Sequence, residues 1–287
     1  MITRFAPSPT GYLHLGHVVN AIYVWGMARA AGGRVLLRIE DHDRIRSRDV
    51  FEHAILTDLA WLGFVPDDGL HPVRRQSEND AAYVAALARL QSTHRVYICT
   101  CSRKEIGNER YSGTCRSRRL LPGDRPPAGA GIRVELDDAP EQFEDRALGP
   151  IVQTPAEQCG DLLLKDRDGN WTYQFAVTVD DMNGAVDLIV RGLDLLSSTG
   201  RQIKLARMLG RTSPPVFYHH PLIIKPDGEK LSKAGGDTGV RELRAAGEPP
   251  AAVIGRAARA VGLIDAAGLV DAAASSGLIR ATAGGRH

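Results

Sequence analysis

Two histidines flank a glycine in "SPTGYLHLGH", residues 8–17, directly after two prolines and where a helical pattern begins. The start of a helix presents unpaired backbone N–H groups and the positive end of the helix dipole, so it suits a phosphate. Gly16 permits a close approach to the backbone, while His14 and His17 could donate to phosphate oxygens whose charge grows during a reaction. A capped helix with two surface histidines explains this histidine motif, residues 14–17, about equally well.

A second basic motif lies late in the chain, within "KPDGEKLSKAGGD". Lys230, Ser232 and Lys233 stand in a glycine-flanked segment that could close over a polyphosphate and neutralise its charge. A solvated basic turn is the simpler interpretation of this lysine motif, "KLSKA", when it is taken alone. It does not explain why the same chain carries the histidine motif behind "RFAPSPTG", so the two motifs together are more specific than either.

Three of the four cysteines crowd into one short stretch: Cys99, Cys101 and Cys115. Clustered thiols favour a metal site over scattered core cysteines, and with Tyr111 they offer three thiolates and a phenol to a tetrahedral Zn²⁺. The C-x-C spacing differs from that of a zinc finger, and phenol is an unusual zinc ligand. His94 is the conventional competitor for the fourth position, and buried thiols without a metal are the alternative. Cys159 is expected to be an ordinary core cysteine.

The elements around the histidine motif form a predicted β-α-β unit. "ITRFAP" predicts a short strand, "HVVNAIYVWGMARAAGG" has helical spacing, and the nearly continuous apolar run "RVLLRIED" predicts a parallel strand buried on both faces. The ligand crevice of such a unit lies beyond the carboxyl ends of its strands. Residues 4–8 and 40–43 are therefore expected at the same edge as the histidine motif, in an α/β fold.

Composition limits the class of protein without naming its partner. The chain has 287 residues, of which 43% are hydrophobic and 24% charged, so a sizeable core is available for one large or two modest domains. The N-terminal residues lack the apolar region of a signal peptide, and no run approaches the roughly 20 apolar residues of a membrane span. We therefore expect a cytoplasmic protein with no membrane partner, acting as a monomer.

A net charge of +2 does not by itself indicate a nucleic-acid partner. A local basic stretch does lie beside the cysteines, and it could contact phosphates or be a solvated face: Arg110, Arg116, Arg118, Arg119 and Arg125.

Both motifs resemble those of a known family. "RFAPSPTGYLHLGH" resembles the first signature of class I aminoacyl-tRNA synthetases of the glutamyl type, and "KLSKA" resembles the second. "TYQFAVTVDD" and "VRGLDLLSSTGRQ" are similar to further segments of that family, so the resemblance covers nearly the whole chain. "YICTCSRKEI", with Tyr111 and Cys115, resembles one subgroup, the glutamyl-queuosine tRNA(Asp) synthetases. That subgroup activates glutamate with ATP and Mg²⁺, without tRNA, and transfers it to queuosine in the anticodon loop of tRNA(Asp).

The resemblance implies roles for particular residues. His14, Gly16 and His17 would hold the ATP phosphates while a glutamate carboxylate attacks the α-phosphorus, and Lys233 would stabilise the charge of the leaving pyrophosphate. Lys230 and Ser232 belong to the same signature. The subgroup's pattern also implies one structural zinc ion per chain, bound by these ligands: Cys99, Cys101, Tyr111 and Cys115.

The resemblance also implies a glutamate site. Arg4 and Arg191 would engage carboxylates, and Glu40 would bind the ammonium group. The remaining implied contacts come from Phe5, Ala6, Pro7, Ser8 and Tyr173, with Ser8 and Tyr173 adding hydrogen bonds. Otherwise Arg4 would be a surface cation, and Glu40 a strand-end carboxylate paired with an arginine such as Arg38 or Arg44.

We predict three regions from where the nucleotide-fold segments stop. Residues 1–84 and 171–224 would form a Rossmann-like catalytic domain, with an acceptor-binding, zinc-bearing subdomain inserted at 85–170. Residues 225–287 would hold the lysine motif and a short helical region, in which "PPAAVIGRAARAVGLIDAAGLVDAAA" predicts one or two helices. This leaves too little chain for an anticodon-binding domain on the order of 100 residues.

The queuosine-modifying activity has three competitors. A shortened glutamyl-tRNA synthetase charging the 3′ end of tRNA(Glu) is disfavoured by the short tail and the cysteine segment. A non-catalytic tRNA-binding relative is disfavoured because both signatures keep their charged residues. An unrelated adenylylating ligase of the same nucleotide fold is a weaker option, since it leaves the implied glutamate site unexplained.

Overall fold

The chain divides into two units in the computed structural model, which describes residues 1–107, 110–224, 239–265 and 268–283. The first unit comprises Met1–Arg75, Val186–Leu196 and Phe217–His287, and the second comprises Gln76–Ala185 and Ser197–Val216. The three-region division drawn from the sequence remains a prediction.

The first unit contains the predicted β-α-β unit, and its parallel pairing is confirmed. Strand β1 (Ile2–Phe5) and strand β2 (Arg34–Leu37) are parallel, and helix α1 (Leu15–Ala30) connects them. The second strand is shorter than the apolar run predicted. The chain nevertheless keeps following the segment after β1, because the Glu40 N–H donates to the Pro7 carbonyl at 3.0 Å. The carboxyl ends of both strands therefore lie together.

Helix α1 is buried on nearly all sides, which explains why its sequence is apolar without a strong polar face. Helices α9 (Pro250–Ala260) and α10 (Ser275–Ala283) pack against it. Gly26 permits a close approach of α10: a Cβ at this position would lie only 2.8 Å from the Ser275 carbonyl oxygen. The packing of α9 and α10 therefore holds the helix that starts with the histidine motif in place within the first unit.

The first unit is completed by two further strands and two helices. Strand β8 (Leu188–Gly192) runs beside β1, since the Asp187 N–H donates to the Ile2 carbonyl at 3.0 Å, and strand β9 (Val216–His220) pairs with β8. The helices are α2 (Asp49–Leu62) and α8 (Val240–Ala245). A short 3₁₀ helix at Leu193–Ser198 follows β8.

The second unit is built on antiparallel strands. Strands β3 (Val96–Cys99), β4 (Gly131–Val134) and β7 (Leu162–Lys165) form one sheet in the order β3-β4-β7, while β5 (Glu141–Asp145) and β6 (Gly149–Gln153) form a hairpin. Its helices are α3 (Asp80–Thr93), α4 (Arg103–Ile106), α5 (Pro155–Cys159), α6 (Tyr173–Asn183) and α7 (Thr199–Met208), with a 3₁₀ turn at Gln76–Glu78. Among the helices of the described ranges, none has both the length and the apolar composition that crossing a bilayer requires.

A buried carboxylate ties the antiparallel sheet to the segment that carries the cysteines. Asp161 accepts from the Tyr97 hydroxyl at 2.6 Å, from Arg116 Nε and Nη2 at 2.7 and 2.8 Å, and from the Leu136 N–H at 3.1 Å. Burial by itself raises the pKa of Asp161, but these hydrogen bonds and the Arg116 charge outweigh burial and hold that pKa below its usual value. Both oxygens of the Asp161 carboxylate are therefore hydrogen-bonded.

Replacing Asp161 with Asn should lower the free energy of unfolding by about 3 kcal/mol, because it removes the charge of a buried carboxylate that binds the half-exposed Arg116 and accepts from buried Tyr97 and Leu136. Glu135→Gln is the matched control. Glu135 also pairs with Arg116, at 3.2 Å, but is partly exposed, so its loss should cost less than about 1 kcal/mol. Urea unfolding followed by circular dichroism measures both variants. Equal losses would show that Asp161 is no more important than a surface partner.

Candidate active site

The histidine motif caps the start of α1 with its own side chains. His14 is the N-cap residue: its Nδ1 accepts from the Gly16 N–H at 3.1 Å, and His17 Nδ1 accepts from the His14 N–H at 3.1 Å. A neutral imidazole whose Nδ1 accepts carries its proton on Nε2. The helix start therefore sets the tautomer of both rings, and in this tautomer each ring carries its proton on Nε2, the atom that would donate to a phosphate oxygen in the predicted role.

A glycine is needed at position 16 for a structural reason that the sequence alone does not show. A Cβ at this position would lie 2.8 Å from His14 Cε1 and 3.0 Å from His14 Nδ1, so any side chain would displace the imidazole. The Gly16 N–H is also occupied by that ring. This N–H orients the histidine, while the close approach of a ligand to the backbone at Gly16 stays a prediction.

The segment that follows the lysine motif is joined to the histidine motif. The Val240 N–H donates to the Leu13 carbonyl at 2.8 Å, and Gly239 forms an isolated β-bridge with His14. Arg241 lies over the Tyr12 ring, 4.7 Å from its centroid. The predicted phosphate ligands of the lysine motif lie outside the described residues: Lys230, Ser232 and Lys233.

Two arginines are buried on neighbouring strands of the first unit. Arg4, in β1, is 5% exposed and its Nη1 donates to the Val190 carbonyl at 3.3 Å. Arg191, in β8, is 3% exposed and its Nε donates to His219 Nε2 at 3.1 Å. Burial excludes the surface-cation interpretation of Arg4. Two buried guanidinium groups concentrate positive charge where the crevice is expected, which favours an anionic ligand.

The carboxylate predicted for the ammonium group has a partner in the chain. Arg38 Nη2 donates to Glu40 Oε1 at 3.0 Å, and both side chains are buried. Glu40 is therefore paired with an arginine, as one interpretation of the sequence predicted, and Arg38 rather than Arg44 lies at this distance. A role of Glu40 toward a substrate ammonium stays a prediction.

The other residues predicted around glutamate fall in both units. Phe5 ends β1 and packs on Trp25, with ring centroids 5.3 Å apart. Pro7 is buried, whereas Ala6 and Ser8 are half-buried in the segment that leads to the histidine motif. Tyr173 is the first residue of α6, in the second unit. Their contacts with a substrate stay predictions.

Sequence reasoning missed two histidines at the end of β9. His219 contacts Arg191, and the neighbouring His220 stacks on Tyr23 with ring centroids 5.0 Å apart. Burial lowers the pKa of His220 to about 4, so this ring is neutral at pH 7, with Nδ1 2.9 Å from the Pro221 carbonyl. The signal was available in "FYHHPLI", an apolar stretch with two histidines just before the lysine motif.

The cysteine cluster is assembled in the second unit. The Sγ atoms of Cys99, Cys101 and Cys115 all lie within 4.8 Å of one another, and those of Cys101 and Cys115 are 3.6 Å apart. Tyr111 Oη lies 3.5 Å from Cys99 Sγ and accepts from the Cys115 N–H at 3.0 Å. A tetrahedral Zn²⁺ with sulfur ligands at about 2.3 Å separates those sulfurs by about 3.8 Å. The donor set therefore fits such an ion.

The thiols differ in how readily they ionise. Burial raises the pKa of Cys115, but hydrogen bonds from the Thr100 backbone and from Tyr111 outweigh it and lower that pKa to about 7. Burial and the Cys115 contact raise the pKa of Cys101 to about 11. Burial also raises the pKa of Tyr111. Among the histidines, cysteines and carboxylates of the described ranges, these three cysteines alone lie close enough together to share a metal ion, and His94 is not part of the group.

Part of the basic stretch beside the cysteines is structural. Arg116 binds Asp161, Arg110 Nε donates to the Ala156 carbonyl, and Arg118 Nη1 donates to Thr100 Oγ1 at 2.7 Å. These arginines therefore hold the second unit together, and contacts of this stretch with nucleic-acid phosphates stay a prediction.

The family model for the catalytic domain of class I tRNA synthetases (E and Q) matches residues 1–281. A crystal structure of glutamate-tRNA synthetase from Elizabethkingia anophelis aligns with a TM-score of 0.77 and 27% identity over 96% of this chain. The alignment spans 65% of the length of that synthetase. The fold is thus that of a class I tRNA synthetase catalytic domain.

Curated relatives identify the family within the class I tRNA synthetases to which this chain belongs. The glutamyl-Q tRNA(Asp) synthetase of Symbiobacterium thermophilum is 42% identical over 91% of this chain and 87% of its own length. The one from Burkholderia cenocepacia is 45% identical over 82% of this chain and 80% of its own length. The chain belongs to the glutamyl-Q tRNA(Asp) synthetases, which are ligases of the aminoacyl-tRNA synthetase class.

Gly16→Ala should lower the rate of ATP–pyrophosphate exchange by roughly 10- to 100-fold, because the added methyl group displaces the His14 ring, which is predicted to contact the ATP phosphates. Gly277→Ala is the matched control, since Gly277 lies within α10 and a Cβ there meets open space. The control should keep the wild-type rate. A Gly16→Ala variant with an unchanged rate would contradict the phosphate role of His14.

Proposed function

We propose that this chain activates L-glutamate with ATP and transfers the glutamyl group to queuosine in the anticodon loop of tRNA(Asp). The observation that carries the proposal is the set of relatives named glutamyl-Q tRNA(Asp) synthetase, which are 40–45% identical over most of this chain. Glutamate, ATP and the tRNA are the partners. We expect a cytoplasmic protein, because both ATP and mature tRNA are found there, and a monomer.

The first step joins glutamate to AMP. A glutamate carboxylate oxygen bonds to the α-phosphorus, the bond from that phosphorus to the bridging oxygen breaks, and pyrophosphate leaves. The Nε2–H groups of His14 and His17 donate to the phosphates, and Lys233, with Lys230 and Ser232 of the same motif, offsets the leaving charge. Mg²⁺, when bound with ATP, neutralises phosphate charge. No side-chain nucleophile is required.

The second step moves the glutamyl group to the tRNA. A hydroxyl of the queuosine cyclopentenediol attacks the glutamyl carbonyl carbon, the bond to the AMP phosphate breaks, and the hydroxyl proton leaves to AMP or solvent. The product is an ester. The chain's own task in this step is to hold the adenylate and the RNA hydroxyl in line.

Recognition of glutamate rests on charge. Arg4 and Arg191 would bind carboxylates, while Glu40 would bind the ammonium, with hydrogen bonds from Ser8 and Tyr173. Glutamine presents a neutral amide, which would leave a buried guanidinium without its anion at a cost of roughly 2–5 kcal/mol. This difference is large enough to reject glutamine without a separate editing step.

We further propose one structural Zn²⁺ per chain in the second unit, bound by Cys99, Cys101, Tyr111 and Cys115. The spacing of the three sulfurs and the position of the Tyr111 hydroxyl support this ligand set. When bound, the ion would cross-link the end of β3 to the segment at residues 111–115. We assign it no role in the reaction.

Labelled glutamate should become attached to tRNA(Asp) only when queuosine is present, through a base-labile ester, because the diol supplies the acceptor hydroxyl. Removal of the 3′-terminal adenosine should leave the labelling intact. Labelling of tRNA(Glu) that requires this adenosine would instead identify a synthetase that charges the 3′ end. Unlabelled glutamine in excess should not compete.

Zinc should be present at about one ion per chain, and the Cys99→Ser plus Cys115→Ser variant should lose it, because two of the four ligands are removed. Cys159→Ser is the matched control, since Cys159 contacts the Pro155 carbonyl and lies outside the cluster. Elemental analysis after purification without added metal gives the stoichiometry. Equal zinc in all three proteins would exclude these ligands.

A further inference from the structure

A hydrogen bond joins Arg191 to a neighbouring strand. Its Nε–H donates to His219 Nε2 at 3.1 Å, from β8 to β9, and His219 is only 2% exposed. A guanidinium group has no acceptor, so this contact requires a lone pair on Nε2. His219 must therefore be a neutral imidazole whose proton is on Nδ1.

Strand alternation places a second ring on the same side. Residues two apart on a strand share a face, and the Phe217 and His219 rings are stacked at 6.1 Å with 9° between their planes. Arg191 Cζ lies 5.7 Å from the Phe217 ring centroid. His220, the next residue along β9, turns to α1 instead, where it stacks on Tyr23 and its Nε2 lies 3.1 Å from Asn20 Oδ1. The two adjacent histidines therefore serve opposite sides of β9.

The hydrogen bond constrains the direction of the arginine fork. A guanidinium binds a carboxylate best through two parallel N–H bonds, and this requires its plane to be set correctly. Because Nε lies in that plane, a bond from Nε–H to a fixed, buried acceptor limits rotation of the whole group. The Phe217 ring adds an apolar surface beside it.

We propose that His219 is a positioning residue for Arg191 and, through it, for the selection of a carboxylate ligand. The inference rests on the proposed function, in which Arg191 binds a carboxylate of glutamate. His219 does not touch the substrate in this scheme. Its contribution is the Nε2 acceptor, which a side chain with an oxygen in the same place can replace.

Two substitutions separate the acceptor from the bulk of the ring. His219→Leu removes the acceptor and should raise KM for glutamate roughly 10- to 100-fold in pyrophosphate exchange, the scale of one hydrogen bond to a charged group, with KM for ATP unchanged. His219→Gln places Oε1 near the former Nε2 and should stay within a few-fold of wild type. Equal increases in both variants, or equal effects on both substrates, would overturn the proposal.

A double-mutant cycle tests whether His219 acts through Arg191. Arg191→Lys removes the Nε–H, so adding His219→Leu to it should raise KM for glutamate little further. Independent, additive effects would show that His219 acts by another route. Thermal unfolding of each variant identifies any loss of the fold.

The tautomer of His219 gives a readout that needs no activity. In ¹⁵N NMR of the wild-type protein at pH 7, the His219 resonances, identified by their loss in His219→Gln, should show a protonated Nδ1 and a bare Nε2. A protonated Nε2 would overturn the inference even in an active enzyme. A wild-type protein with this tautomer but no exchange with glutamate would instead refute the proposed function.

Discussion

A buried guanidinium group is stable in a folded chain only where hydrogen bonds or anions replace the water it has lost. Arg4 and Arg191 meet this condition through groups of neighbouring strands, the Val190 carbonyl and the His219 ring. Strand β1 must lie beside β8, and β8 beside β9, for these contacts to exist. The order of the strands therefore decides whether these two buried charges are compensated. An anionic ligand that reaches these cations adds to their compensation, so charge that is costly for folding becomes useful for binding.

In the histidine motif, too, side chains of the site compensate polar groups of the fold, here the backbone hydrogen-bond donors. The open N–H groups at a helix start need acceptors, and here the Nδ1 atoms of His14 and His17 supply two of them. Satisfying the backbone also selects the Nε2–H tautomer, which is the form that donates to phosphate. The helix beneath is held by close contact with α10 at Gly26, so the imidazoles stand on an element that is packed on nearly every side. Capping the helix is thus compatible with the phosphate role proposed for the same residues.

The sequence predicted what local patterns and signatures encode, and less of what depends on distant partners. Apolar periodicity identified β1, α1 and β2, and the paired signatures identified the family, because both are written in short stretches. The Ala-rich tail was expected to form one or two helices; its described part forms one, α9, and α10 begins only at Ser275, after that stretch. His219 was missed because its partner is 28 residues away on another strand. The reason for Gly16 was also hidden, since it depends on where the His14 ring turns after capping the helix.

The cysteine cluster rests on a frame that does not depend on thiols. Asp161 binds Tyr97 of β3 and Arg116 beside Cys115, while Arg133 of β4 donates to the Asp161 carbonyl at 2.7 Å and lies 3.9 Å from the centre of the Tyr111 ring. The ends of the cysteine segment are therefore tied to the sheet by charge and by ring contacts. Small zinc fingers lack such a frame and unfold without their metal. In this chain, the ion pair and ring contacts stabilise the cysteine segment independently of its thiols, and a metal bound by the cluster would add to that stability by mass action.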